Sequence, residues 1–147
     1  MPRITQPSDI PQSSASPPPN GKTILIAEDD PFISRMYEIK LKAAGYDVIV
    51  KNNGRDAYLQ IKADWPDLIM LDITMPEMTG FEVLGALRAD GYDPATAPVI
   101  ILTNSSSTEN QQLAKSFGAD YMIKAELTPR NVLDKINATL FPDKASG

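Results

Sequence analysis

Five short apolar segments recur between residues 23 and 123, and longer stretches of mixed polarity separate them. Their sequences are TILIA, YDVIV, DLIML, PVIIL and YMI. These runs lack the polar alternation that a half-exposed strand would show. Continuous apolar runs of this length are typical of parallel strands that are buried on both faces. The pattern therefore predicts five buried strands.

The first three intervening stretches have apolar residues at helical spacing. The first helix is predicted to end at Gly45, and its apolar stripe consists of Ile33, Met36, Tyr37, Leu41 and Ala44. The second helix is predicted from about residue 54 to residue 63. A capping box of Thr79 and Glu82 is expected to start the third helix, whose apolar residues are Phe81, Leu84 and Leu87.

Two further helices are predicted in the last third of the chain. Ser106 and Glu109 repeat the capping pattern before a fourth helix, whose apolar residues are Leu113, Ala114 and Phe117. The fifth helix is expected to begin with Thr128 as its cap and Pro129 in its first turn. Strands that alternate with helices predict an α/β fold, in which helices cover both faces of a parallel sheet.

Proline and serine are concentrated at the N-terminus. Residues 1–21 hold six of the thirteen prolines and few apolar residues, so this segment is predicted to be a disordered tail. We expect a single domain over residues 22–141 and a short C-terminal tail over residues 142–147. A chain of 147 residues is long enough for one such domain.

The composition limits the side chains that are available for chemistry. The chain has no Cys, no His and a formal net charge of −5, so any chemistry has to use carboxylates, hydroxyls or amines. Scattered Lys and Arg form no basic patch, which argues against nucleic acid as a direct partner. No apolar run approaches the roughly 20 residues that span a bilayer, and no secretory signal precedes the first strand. We therefore expect a cytoplasmic protein with no membrane partner.

Polar residues follow four of the five predicted strands. They are Glu28, Asp29 and Asp30 after the first strand, Asp72 after the third, Thr103 after the fourth and Lys124 after the fifth. Parallel α/β sheets bind ligands beyond the carboxyl ends of their strands, so we expect these side chains to converge. Clustered carboxylates without His favour a hard cation such as Mg²⁺. Such a site can prepare Asp72 to attack phosphorus, while Lys124 and Thr103 contact the phosphoryl group.

Each of these residues also has a purely structural explanation. Asp30 precedes Pro31 and is expected to cap the first helix, which leaves Glu28 and Asp29 as the metal ligands. The residues that end the other strands each fit an ordinary strand end or surface position when taken singly. Their joint placement at one edge of the sheet favours a functional site.

Four motifs resemble a known family. ILIAEDDP, DLIMLDITMPEMTG, VIILTNSS and YMIK occur in this order between residues 24 and 124. Over residues 22–140 they resemble the receiver domain of two-component response regulators. The resemblance implies a flavodoxin-like, doubly wound α/β fold with five helices and a five-stranded parallel sheet in the order 2-1-3-4-5.

The resemblance also assigns roles. Glu28 and Asp29 resemble the acidic pair that holds Mg²⁺, Asp72 resembles the phosphate-accepting aspartate, and the backbone carbonyl of Thr74 is expected to complete the metal shell. A phosphohistidine on a sensor histidine kinase or a histidine phosphotransfer protein is the implied donor. The resemblance further implies that the domain is not an enzyme, because it catalyses only its own phosphorylation and dephosphorylation.

Signalling to a downstream protein is expected to run through the face formed by the fourth helix, the fifth strand and the fifth helix. Thr103 resembles the switch hydroxyl, Lys124 the lysine of the site, and Tyr121 the aromatic that swings inward on activation. The alternative for Tyr121 is a fixed aromatic at the edge of the core. The residues expected to tune the site are Thr74, Asn104 and Ser105. Because only FPDKASG follows Leu140, we expect a stand-alone receiver.

Two positions depart from the family's pattern. Ala125 follows Lys124 where proline is usual, which leaves open whether the intervening peptide bond is cis or trans. Asn104 follows Thr103 where a smaller residue is usual, and its side chain is expected to narrow access to Asp72.

Three other functions are possible for an acidic site on this fold class. One is a constitutive interaction module that is never phosphorylated, although the acidic and basic set at the strand ends argues against it. Another is a phosphate-ester hydrolase, which needs a general acid two residues after Asp72. Thr74 stands there and is not a general acid, which argues against this function. The third is flavin binding, which needs a phosphate-cradling loop after the first strand, where EDDPF has the wrong charge.

Overall fold

The computed structural model describes residues 20–93, 96–104 and 107–142, in which strands and helices alternate. The strands are β1 (Thr23–Ala27), β2 (Asp47–Lys51), β3 (Leu68–Asp72), β4 (Val99–Thr103) and β5 (Asp120–Ile123). The helices are α1 (Pro31–Ala43), α2 (Gly54–Ala63), α3 (Gly80–Ala89), α4 (Thr108–Ser116) and α5 (Pro129–Leu140). Residues 1–19 of the tail predicted over 1–21, residues 143–147 of the tail predicted over 142–147, and Ser105 and Ser106 lie outside the described residues.

The five strands form one parallel sheet in the order β2-β1-β3-β4-β5. This order confirms the predicted doubly wound, flavodoxin-like topology. Strands β3 and β4 are buried along their whole length, as is β1 beyond its first residue, because helices cover both of their faces. Strands β2 and β5 are only half-buried, since each lies at an edge of the sheet.

Alternate residues of each inner strand enter two separate cores. Leu25 of β1 packs in the core that α2, α3 and α4 cover, whereas its neighbours Ile24 and Ile26 pack in the core under α1 and α5. All three side chains are fully buried. This two-residue period places the helices in layers on opposite faces of the sheet and leaves the carboxyl ends of the strands open between them.

Side-chain caps fix the starts of the helices. Asp30 caps α1, as predicted, and its Oδ1 accepts hydrogen bonds from the backbone N–H groups of Phe32 at 2.9 Å and Ile33 at 3.4 Å. The predicted capping box of α3 is present. Helix α4 begins at Thr108, and the Ser107 side chain caps it by accepting from the Asn110 N–H at 3.3 Å.

Two residues predicted to lie in apolar stripes are exposed instead. Met36 of α1 is 46% exposed, and Leu113 of α4 is 42% exposed. Each immediately precedes the buried residue that centres its helix face, Tyr37 in α1 and Ala114 in α4. One residue corresponds to about 100° around a helix, so both side chains turn away from the sheet. No helix in the described ranges is long and apolar enough to cross a membrane.

Helices α3 and α4 are joined by an aromatic contact. The Arg88 guanidinium lies over the ring of Phe117, 4.0 Å from its centroid, and donates a hydrogen bond of 2.7 Å to the carbonyl of Ser116. The ring of Phe81 stacks on Phe117 with a centroid separation of 6.3 Å. These contacts hold the C-terminal end of α4 against α3.

Candidate functional site

Three carboxylates converge at the carboxyl edge of the sheet. Glu28 follows β1 and is fully buried, Asp72 ends β3 with 4% exposure, and Asp29 is exposed. Because β1 and β3 are parallel neighbours in which Ala27 pairs with Leu71, the next residue of each strand reaches the same point. The three side chains each offer an oxygen within 4.8 Å of the others. The predicted convergence of these acids is therefore confirmed.

Lys124 places an ammonium between two of these acids. Its Nζ lies 2.7 Å from Oε1 of Glu28 and 2.9 Å from Oδ2 of Asp72. Its side chain is only 12% exposed. Lys124 follows β5 and opens a 3₁₀ turn, Lys124–Glu126. The Lys124–Ala125 bond, left open by the sequence, is trans, because the described residues contain no cis peptide.

The acids outnumber the cation. Three carboxylates carry three negative charges when ionised and Lys124 carries one positive charge, so the cluster has a deficit of two positive charges. Burial raises the pKa of Glu28 to about 7, although hydrogen bonds from Lys124 and the Asp30 N–H oppose the shift. Burial opposes the charge on Lys124, but its contacts with Glu28 and Asp72 outweigh burial and raise its pKa. The lysine therefore remains an ammonium.

The chemistry of the oxygen atoms fits a divalent cation. Oε2 of Glu28 accepts from the Asp30 N–H at 3.1 Å, and Oδ1 of Asp72 accepts from the Thr74 N–H at 3.3 Å. Oε1 of Glu28 is buried and contacts the Lys124 ammonium at 2.7 Å. A buried carboxylate oxygen with spare acceptor capacity and two uncompensated charges is what a hard cation such as Mg²⁺ can satisfy.

The remaining predicted site residues lie at the same edge or beside it. Thr103 is the last residue of β4 and is 4% exposed, while Asn104 directly after it is exposed. Tyr121 pairs with Ile101 in the sheet, is half-buried and packs against the core under α2, α3 and α4. A half-buried ring is compatible with a moving and with a fixed aromatic, so the switch role of Tyr121 stays a prediction.

Residues at the end of β2 also contact the site, and the sequence analysis did not single them out. The Asn52 side-chain amide donates a hydrogen bond of 3.0 Å to the backbone carbonyl of Glu28. The Gly54 N–H donates at 3.2 Å to the carbonyl of Pro76, in the loop that follows Asp72. The signal in the sequence was the Asn-Asn-Gly run, which marks a sharp corner after β2.

A groove of about 880 Å³ opens on the face formed by α4, β5 and α5. Its lining includes Gln112, Lys115, Tyr121, Ile123, Glu126 and Asn131. This is the face that the sequence analysis associated with output. The groove begins directly beside Lys124, because Ile123 precedes that lysine and Glu126 ends the turn that it opens.

Comparison with known proteins defines the class. Residues 24–137 match the response regulator receiver domain family, and the chain belongs to that family. Receiver domains are signalling modules of two-component systems and not conventional enzymes. The acidic pocket described above occupies the carboxyl edge of this receiver fold.

The relatives and solved structures agree with this assignment. The DNA-binding response regulator MtrA of Mycolicibacterium smegmatis is 32% identical over 117 residues, which cover 80% of this chain and 50% of MtrA. The chemotaxis protein CheY4 of Vibrio cholerae superposes with a TM-score of 0.73 at 32% identity, covering 81% of this chain and 98% of CheY4. A CheY-like receiver from Methanospirillum hungatei gives 0.74 at 30% identity, with 86% and 98% covered. The chain spans about half the length of the curated relatives it matches.

Proposed function

We propose that this receiver accepts a phosphoryl group from a phosphohistidine donor onto Asp72, with Mg²⁺ as cofactor, and signals through a protein partner. The observation that carries the proposal is the position of Lys124, whose ammonium contacts both Asp72 and Glu28 within 2.9 Å. An ammonium at this point can leave its carboxylate partners and pair with an incoming dianion. Such an arrangement favours a site that gains negative charge during its working cycle.

The residues that would hold Mg²⁺ are Glu28, Asp29, Asp72 and the backbone carbonyl of Thr74. When bound, the ion neutralises charge on the phosphoryl oxygens as the group is transferred. Glu28 is fully buried and Asp29 is exposed, so the pair combines a fixed ligand with an open side for entry. The two uncompensated negative charges match the charge of the ion.

The transfer step uses one carboxylate oxygen of Asp72 as the nucleophile. This oxygen forms a bond to phosphorus as the bond from phosphorus to the donor's imidazole nitrogen breaks. The leaving imidazole keeps the electron pair of that bond. Lys124 then pairs with a phosphoryl oxygen, and the Thr103 hydroxyl donates a hydrogen bond to another. Asn104 at the end of β4 limits access to the product, and we propose the same for Thr74 and Ser105.

The donor we propose is a sensor histidine kinase or a histidine phosphotransfer protein. A protein donor has to bring its phosphohistidine to Asp72, so it also contacts the surface beside the site. Phe32, Met36 and Ile39 form an exposed apolar stripe on α1 with exposed fractions of 83%, 46% and 56%. The stripe begins two residues after the Asp30 cap.

Phe32→Ser tests this surface. The substitution should slow phosphoryl transfer from a phosphorylated kinase and leave phosphorylation by acetyl phosphate unchanged. Equal rates of transfer from the kinase to wild type and to Phe32→Ser would exclude this surface.

The output we propose is a shift between two conformations of the face formed by α4, β5 and α5. Movement of Thr103 and Lys124 toward the phosphoryl group changes the carboxyl ends of β4 and β5, and Tyr121 fills the space that is vacated. The groove on this face then takes a downstream protein. Because the lining is mixed in polarity and includes Lys115 and Glu126, a protein surface fits it better than a nucleic acid does.

The proposal is tested by intact mass after incubation with Mg²⁺ and acetyl phosphate. We expect one added phosphate that is labile to hydroxylamine and absent from Asp72→Asn. Asp134→Asn on the exposed side of α5 is the matched control and should be phosphorylated like wild type. A wild-type protein that stays unmodified with every donor would support the constitutive interaction module instead. Continuous rapid consumption of the donor would support a hydrolase.

A further inference from the structure

The corner between β2 and α2 contacts both halves of the acidic site without contributing a carboxylate. We call residues 52–54, Asn-Asn-Gly, the β2–α2 corner. One of its contacts reaches the segment after β1, which carries Glu28. The other reaches the loop after β3, which carries Thr74. The corner thus bridges two segments that each supply an expected metal ligand.

The first contact fixes the backbone of Glu28 from both sides. The Glu28 N–H donates to the carbonyl of Lys51 at 3.0 Å, and the Glu28 carbonyl accepts from the side-chain amide of Asn52 at 3.0 Å. The Glu28 side chain is fully buried, so the place of its carboxylate follows the place of its backbone. Asn52 is itself exposed, so its side chain can be removed without opening the core.

The second contact depends on the absence of a side chain at residue 54. The Gly54 N–H donates to the carbonyl of Pro76, and a Cβ at this residue would lie 1.9 Å from the carbonyl oxygen of Met78. The same Pro76 carbonyl accepts from the Met78 N–H at 2.8 Å. Between them Glu77 has a φ of 72°, so the loop turns sharply where the corner touches it.

We propose that Asn52 and Gly54 are positioning residues that set the spacing between Glu28 and the loop that carries Thr74. Mg²⁺ binds oxygen at about 2.0–2.1 Å with near-ideal octahedral geometry, so it tolerates little drift between ligands held on separate segments. The β2–α2 corner links these two segments through its hydrogen bonds to the carbonyls of Glu28 and Pro76. This inference rests on the metal site of the proposed function.

The test is Mg²⁺ affinity, measured by titration calorimetry on the full chain without a phosphodonor. Asn52→Ala removes the amide that holds the Glu28 carbonyl, and we expect its dissociation constant to rise about three- to tenfold, as for loss of one hydrogen bond. Asn53→Ala is the matched control, because Asn53 caps α2 by accepting from the Asp56 N–H at 2.8 Å. That variant should lose stability but bind Mg²⁺ within about twofold of wild type.

A spectroscopic readout separates positioning from general destabilisation. The carbonyl of Glu28 belongs to the same peptide unit as the Asp29 N–H, so Asn52→Ala should shift the Asp29 amide resonance in EDTA. Asn53→Ala should leave that resonance in place. Gly54→Ala has to displace the Met78 carbonyl and should weaken Mg²⁺ binding about tenfold or more, whereas Gly85→Ala, where a Cβ meets no atom within 4 Å, should not.

Three outcomes would overturn the inference. One is an unchanged dissociation constant for Asn52→Ala, and another is equal weakening by Asn53→Ala, which would reduce the effect to lost stability. The third is a wild-type protein that binds no Mg²⁺, which would remove the proposed function as well. A wild type that binds Mg²⁺ but is never phosphorylated would contradict only the proposed function. The Mg²⁺ dissociation constants of the variants would still decide the role of the corner.

Discussion

The ammonium of Lys124 lies 2.9 Å from Oδ2 of Asp72, across the intervening strand β4. The same ammonium contacts Glu28 at 2.7 Å. One cation therefore pairs with two buried carboxylates. We therefore expect the stability of the domain and its affinity for the proposed Mg²⁺ to be coupled through this lysine.

The first prediction concerns the loss of that cation. Lys124→Met should lower the free energy of unfolding in EDTA by about 2 kcal/mol, less than the roughly 3–5 kcal/mol for breaking a fully buried pair, because Glu28 can take up a proton. Saturating Mg²⁺ should restore most of the loss, since the ion supplies the missing positive charge. Urea denaturation with and without Mg²⁺ measures both values.

Lys42→Met is the matched control for that measurement. Lys42 pairs with Glu38 on the exposed surface of α1, so its removal should change stability little in either buffer. If Lys124→Met proves as stable as wild type in EDTA, the contacts of Lys124 do not hold the acids together.

The second prediction concerns pH in the metal-free protein. The folded-state pKa of Glu28 is raised by burial to about 7 from an ordinary value of 4.5, so the folded state binds the proton more tightly than the unfolded state. The stabilisation is fully present below pH 4.5 and is lost as the pH rises through 7. Relative to Glu28→Gln, wild type should lose at most about 3 kcal/mol of unfolding free energy between pH 5 and pH 8 in EDTA.

Paired denaturation curves of wild type and Glu28→Gln across this range check the sign. The difference between the two proteins isolates Glu28, because all other titrating groups are common to both. A difference that stays constant with pH would mean that Glu28 ionises like a solvent-exposed carboxyl.

The third prediction compares two glycines of α3. A Cβ on Gly80 would lie 2.5 Å from the backbone carbonyl of Asp72, so Gly80→Ala should cost roughly 1–3 kcal/mol of stability. A Cβ on Gly85 meets no atom within 4 Å, and Gly85→Ala should stabilise the domain by about 0.5–1 kcal/mol through helix propensity. The midpoints of urea unfolding give both signs, and each variant is the control for the other. Shifts in the same direction would contradict the close approach at Gly80.

The fourth prediction separates chemistry from response. Thr103→Ala should still be phosphorylated on Asp72 by acetyl phosphate, because Thr103 contributes no attacking atom. The resonances of the Tyr121 ring, however, should no longer change on phosphorylation, since the hydroxyl that couples them to the phosphoryl group is gone. NMR spectra before and after phosphorylation measure this. Thr139→Ala in α5 is the matched control and should keep the response; a normal Tyr121 response in Thr103→Ala would remove Thr103 from the switch.

The strands and the acidic cluster could be predicted because each leaves a direct mark in the sequence. Burial on both faces forces continuous apolar runs, and the parallel register then brings Glu28 and Asp72 together from residues 44 positions apart. The exposure of Met36 and Leu113 could not be predicted, because a residue at the margin of an apolar stripe is buried or exposed according to what packs beside it.

The role of the β2–α2 corner was also missed, for a different reason. Asn52 reaches a backbone carbonyl 24 residues away, and every residue type offers that same acceptor. A side chain that donates a hydrogen bond to a backbone carbonyl therefore does not restrict the residue type at the accepting position, and the sequence carries no signal of the contact. Only the three-dimensional arrangement shows that the corner touches both halves of the site.

The 3₁₀ turn that Lys124 opens has a consequence for how a signal leaves the domain. Lys124 contacts Asp72, the proposed phosphoryl acceptor, while Ile123 before it and Glu126 two residues after it line the groove. The lysine of the acidic site and the wall of the groove thus share one short segment of backbone. A partner bound in the groove would contact the same few peptides that carry the lysine, so we expect occupancy of the groove and the charge at Asp72 to influence each other reciprocally.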